Sequence, residues 1–353
     1  MIKQLIVGGT DLSMYVVRWS DIELVKELLL AKATLFTGSY ELELENSNGR
    51  FSPDKTGSMF RGRSFYNVPA QVLVDGIVIF NGLLKDISPS HDPRLATFEF
   101  EDVLSQPSET KLVAQTSIGV NPVYAILGFF SQIFPDPGTL ARYVDVQSFQ
   151  AAAGPTLDAK ATVDINIAGT SNASVLALTQ TLSDLASVSI FSRNGLVTAR
   201  AWQPYQGEES GLRSVIGPAQ ARKFISRKGA YTSFINQVSI PYGTSSVLTR
   251  NDTQSQDLTG VTKAYQFNTA TGSEVAVPDF VSAQYYASLF LARSSSIPVT
   301  ADVELGKEFF NVNLGDRFPL TATHWGFERA PFEVIESHRS LEQQSISLTL
   351  RAL

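Results

Sequence analysis

Residues 40–104, YELELENSNGRFSPDKTGSMFRGRSFYNVPAQVLVDGIVIFNGLLKDISPSHDPRLATFEFEDVL, decide the fold class. Glu41-Leu42-Glu43-Leu44-Glu45 alternates strictly, so as a strand it turns Leu42 and Leu44 to one face and three carboxylates to the other. Asn46 to Gly49 then break the strand, because Asn and Gly accept the positive φ of a tight turn. Residues 71–74 and 77–80 are apolar or β-branched runs joined at Asp75-Gly76, the signal of a two-residue hairpin. Asn81-Gly82 follows so closely that it reads as a bulge or barrel corner rather than another full hairpin. Thr97-Phe98-Glu99-Phe100-Glu101 repeats the opening alternation, and five or six such short strands predict a small barrel.

The run Leu44-Glu45-Asn46-Ser47-Asn48-Gly49-Arg50-Phe51-Ser52-Pro53, with Val72, Val74, Gly76, Phe80-Asn81-Gly82 and Ile87 after it, resembles the first barrel of bacteriophage tail hub (baseplate hub) proteins. Weaker echoes, at Arg193-Asn194-Gly195-Leu196, Asn236-Gln237-Val238 and Leu314-Gly315-Asp316-Arg317, extend the resemblance over most of the chain. The hairpin tip in that family reads R-x-G-x-L, so Arg193 to Leu196 depart slightly from its spacing.

Composition sets bounds on this reading. With 43% hydrophobic and 18% charged residues the chain is globular rather than disordered. Lys and Arg number 28 against 34 Asp and Glu, and this mildly acidic balance without a basic run argues against a tight nucleic-acid binder. There is no cysteine, which excludes disulfides, Cys-ligated zinc, iron–sulfur clusters and a thiol nucleophile. The N-terminal apolar run is too short for a signal peptide. Residues 123–130, the longest apolar run elsewhere, fall well below the about 20 residues of a membrane helix.

In chain order, Met1 to Phe36 supply first strands, including Val16-Val17 and Trp19. Residues 21–30 read as a short helix capped by Ser20 or Asp21, with strand the alternative. A polar, proline-broken boundary falls at residues 105–108. Asn121-Pro122 starts a helix with Val123, Ile126, Leu127, Phe130, Ile133 and Phe134 on one side, and residues 135–138 stop it. Residues 150–162 read as a surface loop. A second helix, capped by Ser171 or Asn172, carries the stripe Val175, Leu178, Leu182 and Leu185. Residues 187–190 and 196–200 flank the turn Arg193-Asn194-Gly195. Phe234 to Tyr242 read as the strand opening a second barrel, and residues 245–271 as a loop-rich insertion. Pro278-Asp279 starts a helix with Val281, Tyr285, Leu289 and Ala292 on one face. Strands follow at 299–305, 309–313, 317–321 and 332–336, and the chain closes in a strand whose Ile346, Leu348 and Leu350 share a face, so no appended lysin or fibre domain is expected.

The expected architecture is mainly β with α+β insertions: two small β-barrels, an inserted α/β domain and a helical insertion. The divisions are residues 1–105 for the first hub barrel, 106–228 for the α/β domain, and 229–353 for the second barrel with a loop and helix insertion at about 245–297.

Catalytic signatures are missing. The three histidines, His91, His324 and His338, stand at no metal-ligand spacing, and no HExxH, G-x-S-x-G, P-loop or G-x-G-x-x-G occurs in the required context. His91-Asp92 reads as a turn histidine and His324-Trp325 as a loop packing pair. No catalytic residue, metal or cofactor is expected, and the chain is read as a non-enzyme. Glu41, Glu43, Glu45, Glu99 and Glu101 form like-charged ladders, which read as a solvated strand face. The sharper candidate role is an acidic channel wall that repels DNA phosphates and lets a genome pass without specific binding.

The resemblance implies a structural virion protein at the tail tip, assembled in the host cytoplasm. In that family a homotrimer forms a ring whose two similar barrels per chain give pseudo-sixfold symmetry. The ring docks on the distal tail protein ring, receives the tape-measure protein in its lumen, holds a central spike or fibre, closes the tube and opens for DNA ejection. No stable membrane insertion is implied. The alternative is a receptor- or carbohydrate-binding adhesin module that works through the 245–277 loops.

Overall fold

A computed structural model describes residues 1–25, 38–62, 64–89, 92, 94–110, 112–168, 174–202, 214–229, 233–270 and 272–353. The first third contributes β1 (Lys3–Val7), β2 (Thr10–Asp11), β3 (Val16–Trp19), β4 (Ile22–Val25), β5 (Ser39–Glu45), β6 (Val68–Val74), β7 (Ile77–Pro89) and β8 (Leu95–Asp102). The middle contributes α1 (Gln106–Glu109), β9 (Gln115–Val120), α2 (Pro122–Ile133), α3 (Pro137–Tyr143), α4 (Val146–Asp158), β10 (Val163–Ile167), α5 (Val175–Ala186), β11 (Val188–Arg193) and β12 (Leu196–Ala201). Then follow β13 (Ala221–Gly229), β14 (Gln237–Tyr242), β15 (Ser246–Asn251), α6 (Thr253–Thr259), β16 (Ala264–Gln266), β17 (Val275–Ala276) and α7 (Phe280–Ser294). The last four strands are β18 (Val299–Gly306), β19 (Arg317–Ala322), β20 (Phe327–Ser340) and β21 (Ser345–Ala352). The protein is mainly β, 44% strand and 27% helix, and includes a curled half-barrel sheet with α+β insertions.

One sheet runs β2-β1-β6-β7-β8-β5-β3. Its inward residues follow the period of two: Tyr40, Leu42 and Leu44 on β5 and Ala96, Phe98 and Phe100 on β8 are all buried. The β6–β7 hairpin turns at Asp75-Gly76, both at positive φ, with Val74 opposite Ile77. Asn81-Gly82 lies within β7 as the strand continues, and bulges occur on either side, at Ile79 against β6 and Lys85 against β8. Gly82 is required by close approach, since a Cβ there would stand 2.2 Å from the Glu101 carbonyl oxygen.

The Asn46–Pro53 turn is shaped by one side chain. Asn46 Oδ1 accepts from the Phe51 amide at 2.7 Å, and its Nδ2 donates to Ser52 Oγ at 2.9 Å. This holds Phe51, fully buried, edge-on to Phe98 at 5.2 Å.

A second sheet runs β13-β18-β21-β20-β19, and β4 is added along β20 where β19 leaves it, Ile22 opposite Arg339 and Val25 opposite Glu336. Residues 22–25 are therefore strand, the alternative to the helix expected over 21–30; the rest of that helix lies outside the described residues. The chain thus leaves the first sheet after β3, contributes to the second, and returns as β5. Side chains of both sheets, from Leu5 and Phe98 to Val303 and Leu348, belong to one contiguous core.

Residues 309–313 are a turn and coil rather than the expected strand. Phe310, Val312 and Leu314 still point inward, but the carbonyls of Phe310 and Val312 accept from the Arg339 guanidinium instead of a strand. Arg339 is buried, also donates to Ser337 Oγ at 3.2 Å, and burial lowers its pKa to about 10.

The helices build a separate core. Asn121 caps α2 through the amides of Val123 and Tyr124, and Pro122 occupies the first turn, as expected. Residues 146–158 correct the loop reading: they form α4, capped by Asp145. Ala151, Ala152 and Ala153 favour helix, and Phe149 packs edge-on to Phe130 of α2 at 5.9 Å, which outweighs Gly154-Pro155. The cap of α5 is Ser174, which accepts from the Ala177 amide; Ser171 and Asn172 lie outside the described residues. The α5 stripe Val175, Leu178, Leu182 and Leu185 is buried as expected.

On α7 the buried face is Ala283, Tyr286, Ala287, Phe290 and Leu291, while Val281 is exposed. The expected face was rotated because two small alanines let Phe290 reach Tyr265 and Phe267, at 5.4 and 5.1 Å. The strand reading for residues 234–242 also needs correcting in its place: β14 pairs with β15 and β16, not with the C-terminal sheet. Val238 and Ile240 pack in the helical core with Phe267, Val275 and α7, so part of the 245–271 insertion is ordered strand and helix. His324 and Trp325 do pack together, 4.9 Å apart and both against Phe224; His91 lies outside the described residues.

Asp102 closes β8 from a fully buried position, accepting from the Gly38 and Leu104 amides at 2.9 Å each. Burial outweighs those bonds and raises its carboxyl to about 7. The folded state therefore holds a proton that the unfolded chain, with an ordinary carboxyl near 4, has lost. Its contribution to stability is fully present below about pH 4 and is lost as pH rises through about 7. In urea titrations across that window, Asp102→Asn is expected to flatten the slope; an unchanged slope assigns the pH dependence elsewhere. Gly82→Ala is expected to destabilise by about 2–3 kcal/mol in the same assay, through overpacking against the β8 backbone.

Candidate functional site

The five glutamates of the sequence reading all fall on the solvent side of the first sheet. Glu41 and Glu99 are directly opposite across β5 and β8, and Asp86 on β7 is opposite Glu99 on its other side. Three carboxylates thus form a row across three strands, with Glu101 two residues along from Glu99. Burial first, and after it the charges of Asp86, Glu41 and Glu101, push the Glu99 carboxyl above its ordinary value. The other members are spread out. Glu101 stands 3.7 Å from Lys85, Glu43 is opposite Arg18 of β3, and Glu45 accepts from Ser47 Oγ at 2.8 Å at the strand end. Asp86 was missed by sequence reasoning; the bulge at Lys85 shifts the alternation of β7 and brings it to this face.

Among the described residues no group of three His, Asp or Glu side chains is placed to hold a metal. No described helix is long and apolar enough to cross a membrane.

The second feature is a junction that no single motif reveals. The β11–β12 hairpin turns at Asn194-Gly195, both at positive φ, and its tip is wedged between the two large sheets. On the side of the first sheet, Asn81 Nδ2 donates to the Gly195 carbonyl at 2.6 Å. A Cβ on residue 195 would lie 2.4 Å from Asn81 Cβ, so only glycine fits. On the side of the second sheet, Arg193 pairs with Asp316 at 2.8 Å and Asn313 Nδ2 donates to Asn194 Oδ1 at 2.7 Å. Arg200 donates to the Gly315 carbonyl and stands 3.5 Å from Glu333. Asp316 is itself fixed by the Asn313 amide at 2.9 Å. Three stretches that carry the sequence resemblance, Phe80-Asn81-Gly82, Arg193 to Leu196 and Leu314 to Arg317, therefore converge at one place.

Compared by sequence, the chain matches no family model and no curated protein. Compared by structure, it superposes from end to end on the tail protein of Neisseria meningitidis MC58, with a TM-score of 0.57 at 11% identity over 99% of this chain and 96% of that one. The prophage tail protein gp18 of Listeria monocytogenes EGD-e gives 0.53 at 11%, covering 99% and 94%. The 43 kDa tail protein of prophage MuSo2 from Shewanella oneidensis gives 0.52 at 13%, covering 99% and 97%. The fold is that of prophage tail proteins. At these identities few side chains are shared, so the likeness concerns the path of the backbone.

Asn81→Ala removes the amide that meets the hairpin tip and leaves the Gly195 carbonyl buried, at an expected cost of about 1–3 kcal/mol. Because Asn81 Oδ1 has no partner, the lower half of that range is the expectation in chemical denaturation. A loss below experimental error shows that the tip is held by the Arg193 side alone.

Proposed function

We propose that the chain is a tail hub protein, a structural component at the distal tip of a phage tail. In this reading it assembles as a homotrimeric ring that closes the tube, docks on the distal tail protein ring, contacts the tape-measure protein and a central spike or fibre, and opens for DNA ejection. The observation that supports it most is the end-to-end superposition on three solved tail proteins, each covered over 94–97% of its own length. Two multistranded sheets joined through one core and one wedged hairpin are consistent with a rigid ring segment.

The row Glu41, Glu99 and Asp86, with Glu43, Glu45 and Glu101 around it, is proposed as the wall that faces passing DNA. Clustered carboxylates repel phosphates over about a Debye length, roughly 8 Å at physiological ionic strength. The adhesin reading finds less support. The groove in the 245–297 region, about 320 Å³, is lined by Asp252, Gln254, Leu258, Thr259 and Ile297 among others, without an aromatic platform for sugar stacking.

Light scattering of the purified protein is expected to reveal a particle of three 38.5 kDa chains, and antibody labelling to place it at one end of the tail. A protein that stays monomeric at tens of micromolar and is missing from virions rules the hub out. Virions carrying Glu41→Lys and Glu99→Lys are expected to assemble normally but release DNA more slowly, read by the delay of dye-accessible DNA after receptor triggering. Wild-type release kinetics exclude the acidic face from the channel.

A further inference from the structure

Where the β11–β12 hairpin meets the second sheet, a cleft opens between guanidinium groups. One chamber, about 380 Å³, has Arg193, Arg200 and Arg317 on one side and Asp145 and Ser148 of the α4 N-terminus on the other. A second chamber shares Arg200 and Arg317 and continues to Arg351. Of the balancing carboxylates, Asp316 sits behind these cations, and Glu333 lines the second chamber. The Asp316 side chain is 4% exposed and the Glu333 side chain 10%, whereas Arg193 and Arg200 keep 35% and 30%. By strand register Glu333 is flanked by Arg317 on β19 and Arg351 on β21, so one carboxylate stands among three guanidiniums. Arg317 Nε is buried without a hydrogen-bond partner. Burial, and the charges of Arg317 and Arg193 against that of Glu333, hold Arg200 below the ordinary arginine range. The N-terminal end of α4 adds its partial positive charge at the chamber rim.

We propose that this cleft is an oxyanion-binding site, taking a carboxylate or phosphate group on Arg317 and the exposed sides of Arg193 and Arg200. Planar guanidiniums match both oxyanions with paired hydrogen bonds, and an anion there relieves the mutual repulsion of the three cations. The same chemistry reaches the site from an acidic side chain of a partner protein or from a phosphate in solution. The proposal does not depend on the tail-hub reading.

The test is isothermal titration of the full chain at matched ionic strength, with inorganic phosphate in one arm, tetraglutamate in the other and sodium chloride as the reference. Saturable binding in at least one arm is expected. Arg317→Gln is expected to weaken it about tenfold, and Arg250→Gln, outside the cleft, to leave it unchanged. Asp145→Asn keeps a good helix cap and removes a facing carboxylate, so it is expected to tighten binding about threefold. Preference for tetraglutamate assigns the site to a partner's acidic segment, and preference for phosphate to a phosphate group. No saturable heat in either arm, or Arg317→Gln binding as the wild type does, overturns the proposal. Where circular dichroism finds Arg317→Gln unfolded, Asp145→Asn decides: tighter binding supports the site and unchanged binding overturns it.

Discussion

The contact between the Asn81 amide and the Gly195 carbonyl is the constraint from which the rest of the architecture follows. The hairpin tip approaches β7 so closely that no side chain fits at residue 195, and its two turn residues both need positive φ. Once seated, the hairpin is a wall between two cores. Val188 and Ile190 face the helical cluster of α2, α4 and α5, while Phe191, next along β11, enters the core shared by the two large sheets. Adjacent residues of one strand point to opposite faces, so a single hairpin serves both sides only if it is buried on both. The burial of all of Val188 to Ser192 meets that condition.

The two large sheets are tied by more than contact. Strand β4 belongs by sequence to the first third of the chain and by pairing to β20, so the second sheet holds a strand that follows β3 of the first in the chain. Opposite that strand, Arg339 holds residues 310–312 by their carbonyls, a role a neighbouring strand normally fills. A buried guanidinium is costly to desolvate, yet five donors in a fixed plane satisfy carbonyls that an irregular segment leaves open. One shared core and one exchanged strand thus link the two sheets.

Much of the β framework is legible in the sequence, because period-two alternation is a local signal. Residues 41–45, 97–101 and 346–350, the Asp75-Gly76 and Asn194-Gly195 turns, and the Asn121 cap all stand as the residues suggest. What failed did so where a distant partner decides. The alanines of residues 151–153 become helix because Phe149 finds Phe130, and the burial of α7 is set by Tyr265 and Phe267 from another strand. Residues 310–314 alternate like a strand, but their amides close local turns and the Phe310 and Val312 carbonyls go to Arg339, and β14 joins a sheet formed with its own insertion. The acidic face was legible in composition but not in membership, since Asp86 arrives through a bulge that no local pattern announces. The junction was legible only as three separate motifs with no indication that they meet.

The two charged regions differ in what the fold demands of them. On the acidic face, Glu41, Glu99 and Asp86 are exposed, and water and salt screen their repulsion, so the row persists without a buried partner for each member. At the hairpin junction the guanidiniums are half-buried and solvent screens them poorly, so each is balanced by a largely buried carboxylate, Arg193 by Asp316 and Arg200 by Glu333. Removing one of those carboxylates strands a buried cation and disturbs the fold, whereas reversing a glutamate on the open face alters mainly the field outside it. The junction's charges are thus tied to the hydrogen bonds that seat the hairpin, while the acidic row stands on an open strand face.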